Sequence, residues 1–265
     1  DNVIPFGVDT DISPYDSGSY ASATTYITGK AVAKAAENLK EKVIKMGASM
    51  LEVEPDEVTF NGKCVEKKDQ SAKVTLPEIG VRGTFGNNDA LQVTENCGAE
   101  ISPPPYMVGI AEVEIDKETG SVELIDYVAV VDCGTPINPN LARVQTEGGI
   151  AQGIGMALFE DIQYTEKGAM ANNSLMQYKI PSRLDVGKIR VEFKPSYEKS
   201  HPFGAKSIGE IVIDTPCPAI ANAVYNAVGL RVEEMPIKPE KIASLLPGCD
   251  KHTARPFHLS PPMYE

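Results

Sequence analysis

The sequence contains few of the residues that build metal and redox sites in proteins. Its 265 residues include five cysteines and three histidines. No two cysteines form a Cys-x-x-Cys pair, so their spacing fits neither an iron–sulfur cluster nor a structural zinc site. The histidines do not form a metal triad by spacing. The spacing therefore predicts none of these three kinds of metal site, and the scattered cysteines favour reduced thiols and a cytoplasmic protein.

Positive charge and long apolar runs are also scarce. The chain has 37 acidic and 25 basic residues, a formal net charge of −12, and no run of basic residues. Nucleic acids and anionic membrane surfaces are therefore poor candidate partners. No apolar run approaches the roughly 18 residues that span a bilayer. With 42% hydrophobic residues, the chain can form a sizeable core in one large domain or in two lobes.

Several common catalytic motifs are missing as well. The sequence has no Walker lysine motif and no Gly-x-Ser-x-Gly elbow, and no histidine is placed convincingly for a hydrolytic triad. The run Gly153-Ile-Gly-Met-Ala157 is similar to a dinucleotide fingerprint. A genuine fingerprint opens a helix directly after a strand. Here the helix is expected to begin near Pro139, well before the glycines, which argues against a Rossmann site.

A polar loop rich in small hydroxyl residues covers residues 9–26 and leads into the first predicted helix. We expect this helix from about Thr28 to Met46, because apolar residues recur there at helical spacing. The loop has two interpretations. Its small side chains could let backbone N–H groups approach a phosphate closely, or it could be an ordinary serine-rich capping loop. Further on, Asn61-Gly62 predicts a hairpin turn.

The pattern changes to β-structure at Met107. Residues 122–132 predict the second strand of a hairpin, and its end is too apolar to face water. A slip in the alternation of the first strand predicts a bulge near Gly109 or Ile110.

The boundary between two lobes is placed where the pattern is least clear. Residues 63–105 are rich in glycines and acids and end in three consecutive prolines. We therefore predict an α+β fold with a first lobe of residues 1–105 and a second lobe of residues 106–265. Mixed sheets with helices packed on them should form both lobes.

A glycine-rich helix is expected to follow, with Asn138 as its N-cap and Pro139 as its first residue. It carries four glycines, at Gly148, Gly149, Gly153 and Gly155. Each costs about 1 kcal/mol relative to alanine in a helix. Two explanations remain open: another backbone packs very close, or a ligand lies against this face. Gln152 stands among the glycines, so its amide would be exposed to such a ligand.

The loop His201–Glu210 carries a single carboxylate directly after Gly209. A helix follows, predicted to be capped by Thr215 with Pro216 at its first position. A carboxylate and backbone N–H groups near a helix start suit a base beside a bound anion. The alternative is that Glu210 only complements the dipole of the helix.

Three glycine- or serine-rich segments, residues 17–25, 148–155 and 204–210, could together enclose one anionic ligand. Four runs, in this order, resemble the molybdenum-binding domain of the xanthine dehydrogenase and aldehyde oxidase family. They are Asp9-Thr-Asp11 with Ser17-Gly-Ser-Tyr-Ala-Ser-Ala-Thr24 and Gly29-Lys-Ala-Val32, then Val131-Asp-Cys-Gly-Thr-Pro-Ile-Asn-Pro139, Gln145-Thr-Glu-Gly-Gly-Ile-Ala-Gln-Gly-Ile-Gly155 and Lys206-Ser-Ile-Gly-Glu210. The resemblance is to the C-terminal half of that domain.

The resemblance implies a molybdenum–molybdopterin cofactor, with the mononucleotide and dinucleotide forms both open, and no side-chain ligand to the metal. It also implies the roles of seven residues. Glu210 would be the general base for hydroxylation of an electron-poor carbon with water. Cofactor contacts would come from Ala21, Ser22 and Thr24 through backbone and hydroxyl groups, from Gln152 through its amide, and from Lys206 and Ser207 through the main chain.

The resemblance further implies partners. These are the N-terminal half of the molybdenum domain, iron–sulfur and flavin subunits or domains, and a small-molecule substrate: a purine, another N-heterocycle, an aldehyde or carbon monoxide. We expect the chain to be a fragment of a larger protein and inactive alone, because half of the cofactor cage would be absent. The alternative is a non-catalytic binding or assembly piece that keeps the fold.

Overall fold

The computed structural model describes residues 3–16, 18–86, 89–98 and 101–246. The chain forms two compact units, Asp1–Ser102 and Pro103–Glu265. Each unit has a small sheet with helices packed on it, which confirms the predicted α+β fold. Among the described residues, no helix is long and apolar enough to cross a membrane.

The first unit packs one long helix against an antiparallel sheet. Its helices are α1 (Thr24–Met50) and α2 (Leu76–Val81), and its strands, in the order β1-β2-β3, are β1 (Val58–Phe60), β2 (Cys64–Lys67) and β3 (Lys73–Thr75). Val43 and Met46 of α1 bury their side chains with Val65 of β2 and Ile79 of α2. The helix lies very close to the sheet, because a Cβ on Gly47 would stand 2.6 Å from the Cβ of Val65.

Helix α1 is longer at both ends than the sequence pattern predicted. It begins at Thr24 rather than Thr28 and ends at Met50 rather than Met46. Tyr26 in the first turn is buried, so apolar burial stabilises this end of the helix. Gly47, which reads as a helix stop, continues the helix because it packs on β2.

The predicted hairpin turn at Asn61-Gly62 is confirmed. The side-chain Oδ1 of Asn61 accepts hydrogen bonds from the N–H groups of Lys63 and Cys64, each at 3.0 Å. Gly62 adopts a φ of +87°, which a side chain would disfavour.

The second unit contains a mixed sheet in the order β4-β5-β6. Its strands are β4 (Tyr106–Ile115), β5 (Val122–Asp132) and β6 (Lys188–Phe193), and its helices are α3 (Pro139–Leu158), α4 (Ile211–Asp214), α5 (Pro216–Val228) and α6 (Pro239–Leu245). Strand β5 pairs antiparallel with β4 and parallel with β6. Its buried residues Tyr127, Ala129 and Val131 share one core with Ile150 of α3 and Ile220 of α5.

The predicted hairpin of β4 and β5 is confirmed, but the predicted bulge near Gly109 or Ile110 is wrong. The register shifts between Glu112 and Val113, opposite Ile125 of β5. Gly109 has a different role, because a Cβ there would stand 1.9 Å from the hydroxyl oxygen of Tyr127. The missing side chain makes room for this phenol.

The starts of the two later helices agree in part with prediction. Helix α3 begins at Pro139, and Oδ1 of Asn138 accepts from the N–H of Leu141 at 3.1 Å, so the predicted N-cap is confirmed. Helix α5 begins at Pro216 as expected, but Thr215 makes no side-chain cap. Its hydroxyl instead accepts a hydrogen bond from Tyr127 at 2.9 Å, which ties the helix start to the sheet.

Three of the four glycines of α3 let atoms of neighbouring segments pack closely on the backbone of the helix. A Cβ on Gly149 would stand 2.2 Å from Cγ2 of Val212 in α4, and one on Gly153 would stand 2.6 Å from Cγ of Pro216 and 2.9 Å from the carbonyl oxygen of Ile213. One on Gly155 would meet Glu160 and Pro181. Gly148 differs, since a Cβ there would meet no atom within 4 Å.

Two alanine substitutions in α3 should therefore act in opposite directions. Gly153→Ala should lower the free energy of unfolding by about 1–3 kcal/mol, because the methyl group overpacks the contact with α4 and α5. Gly148→Ala, the matched control in the same helix, should raise it by up to about 1 kcal/mol through helix propensity alone. Urea unfolding of both variants measures the difference, and equal effects would contradict this role of Gly153.

Candidate functional site

The start of α1 has the features of an anion-binding helix terminus. The first turn of α1 contains no acidic residue, and its N–H groups have no partner within the helix. Ala21 and Ser22 precede it with φ values of +51° and +52°. Such left-handed backbone is rare for residues other than glycine and occurs often at functional sites.

Side chains around this helix start are hydroxylic or cationic. Thr24 is exposed, Ser22 is half-buried, and the hydroxyl of Thr24 shares a short hydrogen bond with that of Ser19. The ammonium group of Lys30 lies 5.4 Å from the ring centre of the buried Tyr26. The positive helix end, the hydroxyl groups and a nearby lysine fit the phosphate of a bound cofactor.

Helix α3 presents an open row of residues beside its packed face. Val144, Gly148, Gln152 and Met156 follow each other at intervals of one turn, and all four are exposed. This row lies next to the one that contains Gly149 and Gly153, which face α4. Within the described residues, no hydrogen bond engages the amide of Gln152. The open surface at Gly148 leaves room for a ligand, and the neighbouring amide of Gln152 is available to hydrogen-bond to polar groups at the edge of that ligand.

The loop before α4 is fixed to the end of β5 through its backbone. Gly134 and Ala205 form an antiparallel bridge. The N–H of Thr135 donates to the carbonyl of Gly204 at 2.7 Å, and the N–H of Lys206 donates to the carbonyl of Cys133 at 2.8 Å. The loop therefore leaves the sheet in a defined direction.

His201 shapes the same loop from inside. It is buried, and its Nδ1 accepts hydrogen bonds from the N–H groups of Phe203 and Ala205, each at 3.2 Å. Within the described residues, no group of three or more His, Cys, Asp or Glu side chains could hold a metal ion. His252 and His258 lie outside the residues that the structure describes.

The side chain of Lys206 forms an ion pair that the sequence did not predict. Its Nζ lies 3.0 Å from Oδ2 of Asp132 and 5.4 Å from the ring centre of Tyr106. Oδ1 of Asp132 also accepts hydrogen bonds from the N–H of Gly134 at 2.9 Å and from the hydroxyl of Ser196 at 2.8 Å. Burial alone would raise the pKa of Asp132, but these donors together lower it. Asp132 is therefore ionised at neutral pH.

Glu210 is exposed at the residue before α4. Its side chain makes no capping hydrogen bond, and within the described residues no hydrogen bond or ion pair engages its carboxylate. Helix α4 has only four residues, so its dipole is small. The small dipole weakens the alternative that Glu210 only complements a helix dipole, and the missing capping bond argues against a side-chain cap.

The predicted site residues fall into two sets. Ala21, Ser22 and Thr24 surround the start of α1 in the first unit; Gln152, Lys206, Ser207 and Glu210 belong to α3 and the loop before α4 in the second unit. Within the second unit, Gly149 and Gly153 pack α3 against α4, so the elements that carry Gln152 and Glu210 touch. That both sets enclose one ligand stays a prediction, and Ser17 of the predicted segment lies outside the described residues.

Sequence reasoning missed Asp132, Tyr106 and Ser196 as partners of the loop. Asp132 stands in one of the recognised runs, but 74 residues separate it from Lys206. Nothing in the spacing of the two side chains indicates that they meet. Their contact depends on the parallel return of β6 and on the bridge between Gly134 and Ala205.

Comparison with known proteins identifies the family. The sequence model of the molybdopterin cofactor-binding domain family matches residues 1–187 of this chain. This range includes Ala21, Ser22, Thr24 and Gln152, and it ends before the loop with Lys206, Ser207 and Glu210.

Individual relatives extend the similarity over most of the chain. This chain is 36% identical over 242 residues to a probable hypoxanthine oxidase of Escherichia coli (strain K12). The match covers 90% of this chain and 25% of that protein. The chain is 32% identical over 253 residues to the gamma subunit of the 6-hydroxypseudooxynicotine dehydrogenase complex of Paenarthrobacter nicotinovorans, covering 92% and 32%.

A solved structure agrees with these sequence matches. The structure of quinoline 2-oxidoreductase from Pseudomonas putida 86 aligns with a TM-score of 0.71 at 29% identity, covering 88% of this chain and 31% of that one. The chain thus spans between a quarter and a third of the length of these relatives. The predicted molybdenum–molybdopterin cofactor is confirmed for the family, and the chain belongs to the molybdopterin cofactor-binding domain family of the molybdenum hydroxylases related to xanthine dehydrogenase.

Proposed function

We propose that this chain is the molybdopterin-binding part of a molybdenum hydroxylase that uses water to hydroxylate an electron-poor carbon, with Glu210 as the general base. The observation that carries the proposal is the exposed carboxylate of Glu210, which has no partner among the residues that the structure describes and lies on a loop whose backbone is fixed on both sides. The bound cofactor supplies the two-electron oxidation.

Different residues of the chain bind different groups of the cofactor. The start of α1 binds the phosphate through its N–H groups, helped by the hydroxyls of Ser22 and Thr24 and the main chain of Ala21. Gln152 offers an amide that can both donate and accept. The open row of α3, where Gly148 carries no side chain, allows the ligand to lie directly on the helix.

The loop residues act through their main chain. The N–H of Lys206 already donates to Cys133, so its carbonyl is the group left to accept from the cofactor. Ser207 is half-buried and contributes main-chain atoms beside it.

Glu210 carries out the proton transfer. A carboxylate oxygen accepts the proton that water releases as the new carbon–oxygen bond forms. The exposed position lets the proton pass on to solvent afterwards. The carbon–hydrogen bond of the substrate breaks in the same step, and its hydrogen leaves with both bonding electrons as a hydride equivalent. Taking up this hydride equivalent is the chemistry that the bound cofactor would supply, which balances the oxidation.

The remaining parts of the enzyme come from elsewhere in this proposal. One relative is named as a subunit of a dehydrogenase complex, and both relatives are three to four times longer than the matched region. We infer that the N-terminal half of the molybdenum domain completes the cofactor cage and that iron–sulfur and flavin subunits or domains carry electrons away. The location is proposed to be the cytoplasm, and the substrate a small molecule with an electron-poor carbon.

Glu210→Gln in the full enzyme tests the base directly. Glutamine keeps the volume and can still form a hydrogen bond, but it cannot take the proton. Turnover per bound molybdenum should fall roughly 10²–10⁴-fold, with unchanged cofactor content. Steady-state kinetics with metal analysis measures both quantities.

The matched control is Glu240→Gln, which removes the same charge from the first turn of α6. It should leave turnover within about twofold, because dipole effects of exposed charges are under about 1 kcal/mol and act on stability. A Glu210→Gln enzyme with turnover within about threefold of the parent, far short of the loss expected for a missing base, would end the assignment of Glu210 as the base.

Two further substitutions test the binding residues. Ser22→Ala and Gln152→Ala should each lower molybdenum and pterin content after purification, because each removes a polar contact to the cofactor. Ser49→Ala at the other end of α1 and Gln177→Ala in the loop after α3 are exposed controls and should retain full content. Normal molybdenum and pterin content in both site variants would mean that the start of α1 and the glycine-rich part of α3 have a purely structural role.

The isolated chain should fold but show no turnover, since the proposal assigns half of the cofactor cage to another part of the enzyme. Substrate-dependent dye reduction, together with molybdenum analysis, checks this expectation. Activity of the isolated chain with bound molybdenum would contradict it. A folded chain that binds no cofactor even with its missing half would favour the non-catalytic alternative.

A further inference from the structure

We propose that Lys206 is a positioning residue: its ammonium group, paired with Asp132, holds the loop of Glu210 against the end of β5. The inference rests on the proposed function, because it assigns to Lys206 the placement of the proposed base. It adds to the proposed main-chain contact of Lys206 a role of its side chain, which acts through Glu210.

The ion pair has the burial of a structural contact. Nζ of Lys206 lies 3.0 Å from Oδ2 of Asp132, and the two side chains are 10% and 21% exposed. Most ion pairs on a protein surface contribute little, because water screens them. Here the partial exclusion of water strengthens the attraction and makes the loss of one partner costly.

Both members of the pair are fixed by other groups. The second oxygen of Asp132 accepts from the N–H of Gly134 and from the hydroxyl of Ser196, so the carboxylate cannot rotate freely. The ammonium group of Lys206 also faces the ring of Tyr106 at 5.4 Å, a distance suited to a cation–π contact. The pair therefore defines one position for the Lys206 side chain.

The Lys206–Asp132 pair lies where it can determine the position of the Glu210 carboxylate. On one side of the segment 207–210, the backbone of Gly204 and Lys206 is bonded to Thr135 and Cys133. On the other side, Val212 of α4 packs into the space left by Gly149. Glu210 lies between these two anchors, four residues after Lys206. A shift of the first anchor therefore moves the carboxylate.

A direct role of the ammonium group on the cofactor fits the contacts less well. To reach a ligand, Lys206 would have to leave both Asp132 and Tyr106. The ionised Asp132 would then lose its cationic partner in a partly buried position, which is unfavourable. The geometry favours a lysine that stays in place during the reaction.

The experiment compares Lys206→Met, Asp132→Asn, the double variant and Lys206→Arg in the full enzyme. Lys238→Met is the matched control, since it removes an ion pair of 2.7 Å with Asp161 in the same unit, away from the loop. The readouts are hydrogen–deuterium exchange of the peptide that spans residues 203–213, molybdenum content, kcat and KM.

Lys206→Met should raise amide exchange of residues 204–210 by about tenfold or more, because the loop opens locally. Its kcat should fall roughly 10–100-fold with KM and molybdenum content nearly unchanged, since a misplaced base slows the chemical step. The double variant should be little worse than either single variant, because the partners act as one unit. Lys206→Arg should restore kcat to within about fivefold, as it keeps the charge, and Lys238→Met should resemble the parent.

Three results would overturn the inference. The first is a Lys206→Met enzyme with unchanged exchange in the loop. The second is additivity of the two single variants in kcat. The third is loss of molybdenum with normal turnover per remaining metal atom, which would assign the side chain of Lys206 to cofactor binding.

The design separates this inference from the proposed function. If Glu210→Gln keeps full turnover, the assignment of the base fails, while the exchange data still decide whether Lys206 holds the loop. If Glu210→Gln is inactive and Lys206→Met matches the parent in exchange and kcat, only the positioning role fails.

Discussion

The close packing of α3 against α4 is the constraint on which the candidate site in the second unit depends. Gly149 and Gly153 let the two helices approach until a methyl group would collide with Val212 or with the carbonyl oxygen of Ile213. This contact sets where α4 begins and therefore where Glu210 stands. It also turns the adjacent row of α3, with Gly148 and Gln152, outward. The glycines, which are poor helix formers, thus determine the positions of Gln152 and Glu210.

The loop of Glu210 is held by two different kinds of interaction. At its end, apolar packing fixes α4 on α3. At its start, hydrogen bonds and the Lys206–Asp132 ion pair fix the backbone to β5. The carboxylate itself has no partner among the described residues. A rigid loop that carries an unpaired carboxylate is what a general base requires, because its oxygen atoms must stay available to the substrate.

Much of this arrangement could be predicted from the sequence, and the failures have physical causes. The hairpin of β4 and β5, the Asn138 cap and the helix from Pro216 follow from local patterns, since turn and capping chemistry is local. The bulge was misplaced because Gly109 accommodates Tyr127, a cross-strand contact that no alternation pattern reveals. The glycines of α3 left packing and ligand binding open, and only the structure separates Gly153, which packs, from Gly148, which does not. The Lys206–Asp132 pair depends on tertiary topology and has no local signature.

The central claim is that Glu210 acts on the substrate at the cofactor, and a crystal structure of the full enzyme with cofactor and a slow substrate bound tests it most directly. The account predicts a carboxylate oxygen of Glu210 within about 3 Å of the oxygen that is transferred to the reacting carbon. The amide of Gln152 should contact the cofactor in the same structure. A Glu210 side chain that points into solvent, with another base at the reacting carbon, would contradict the account.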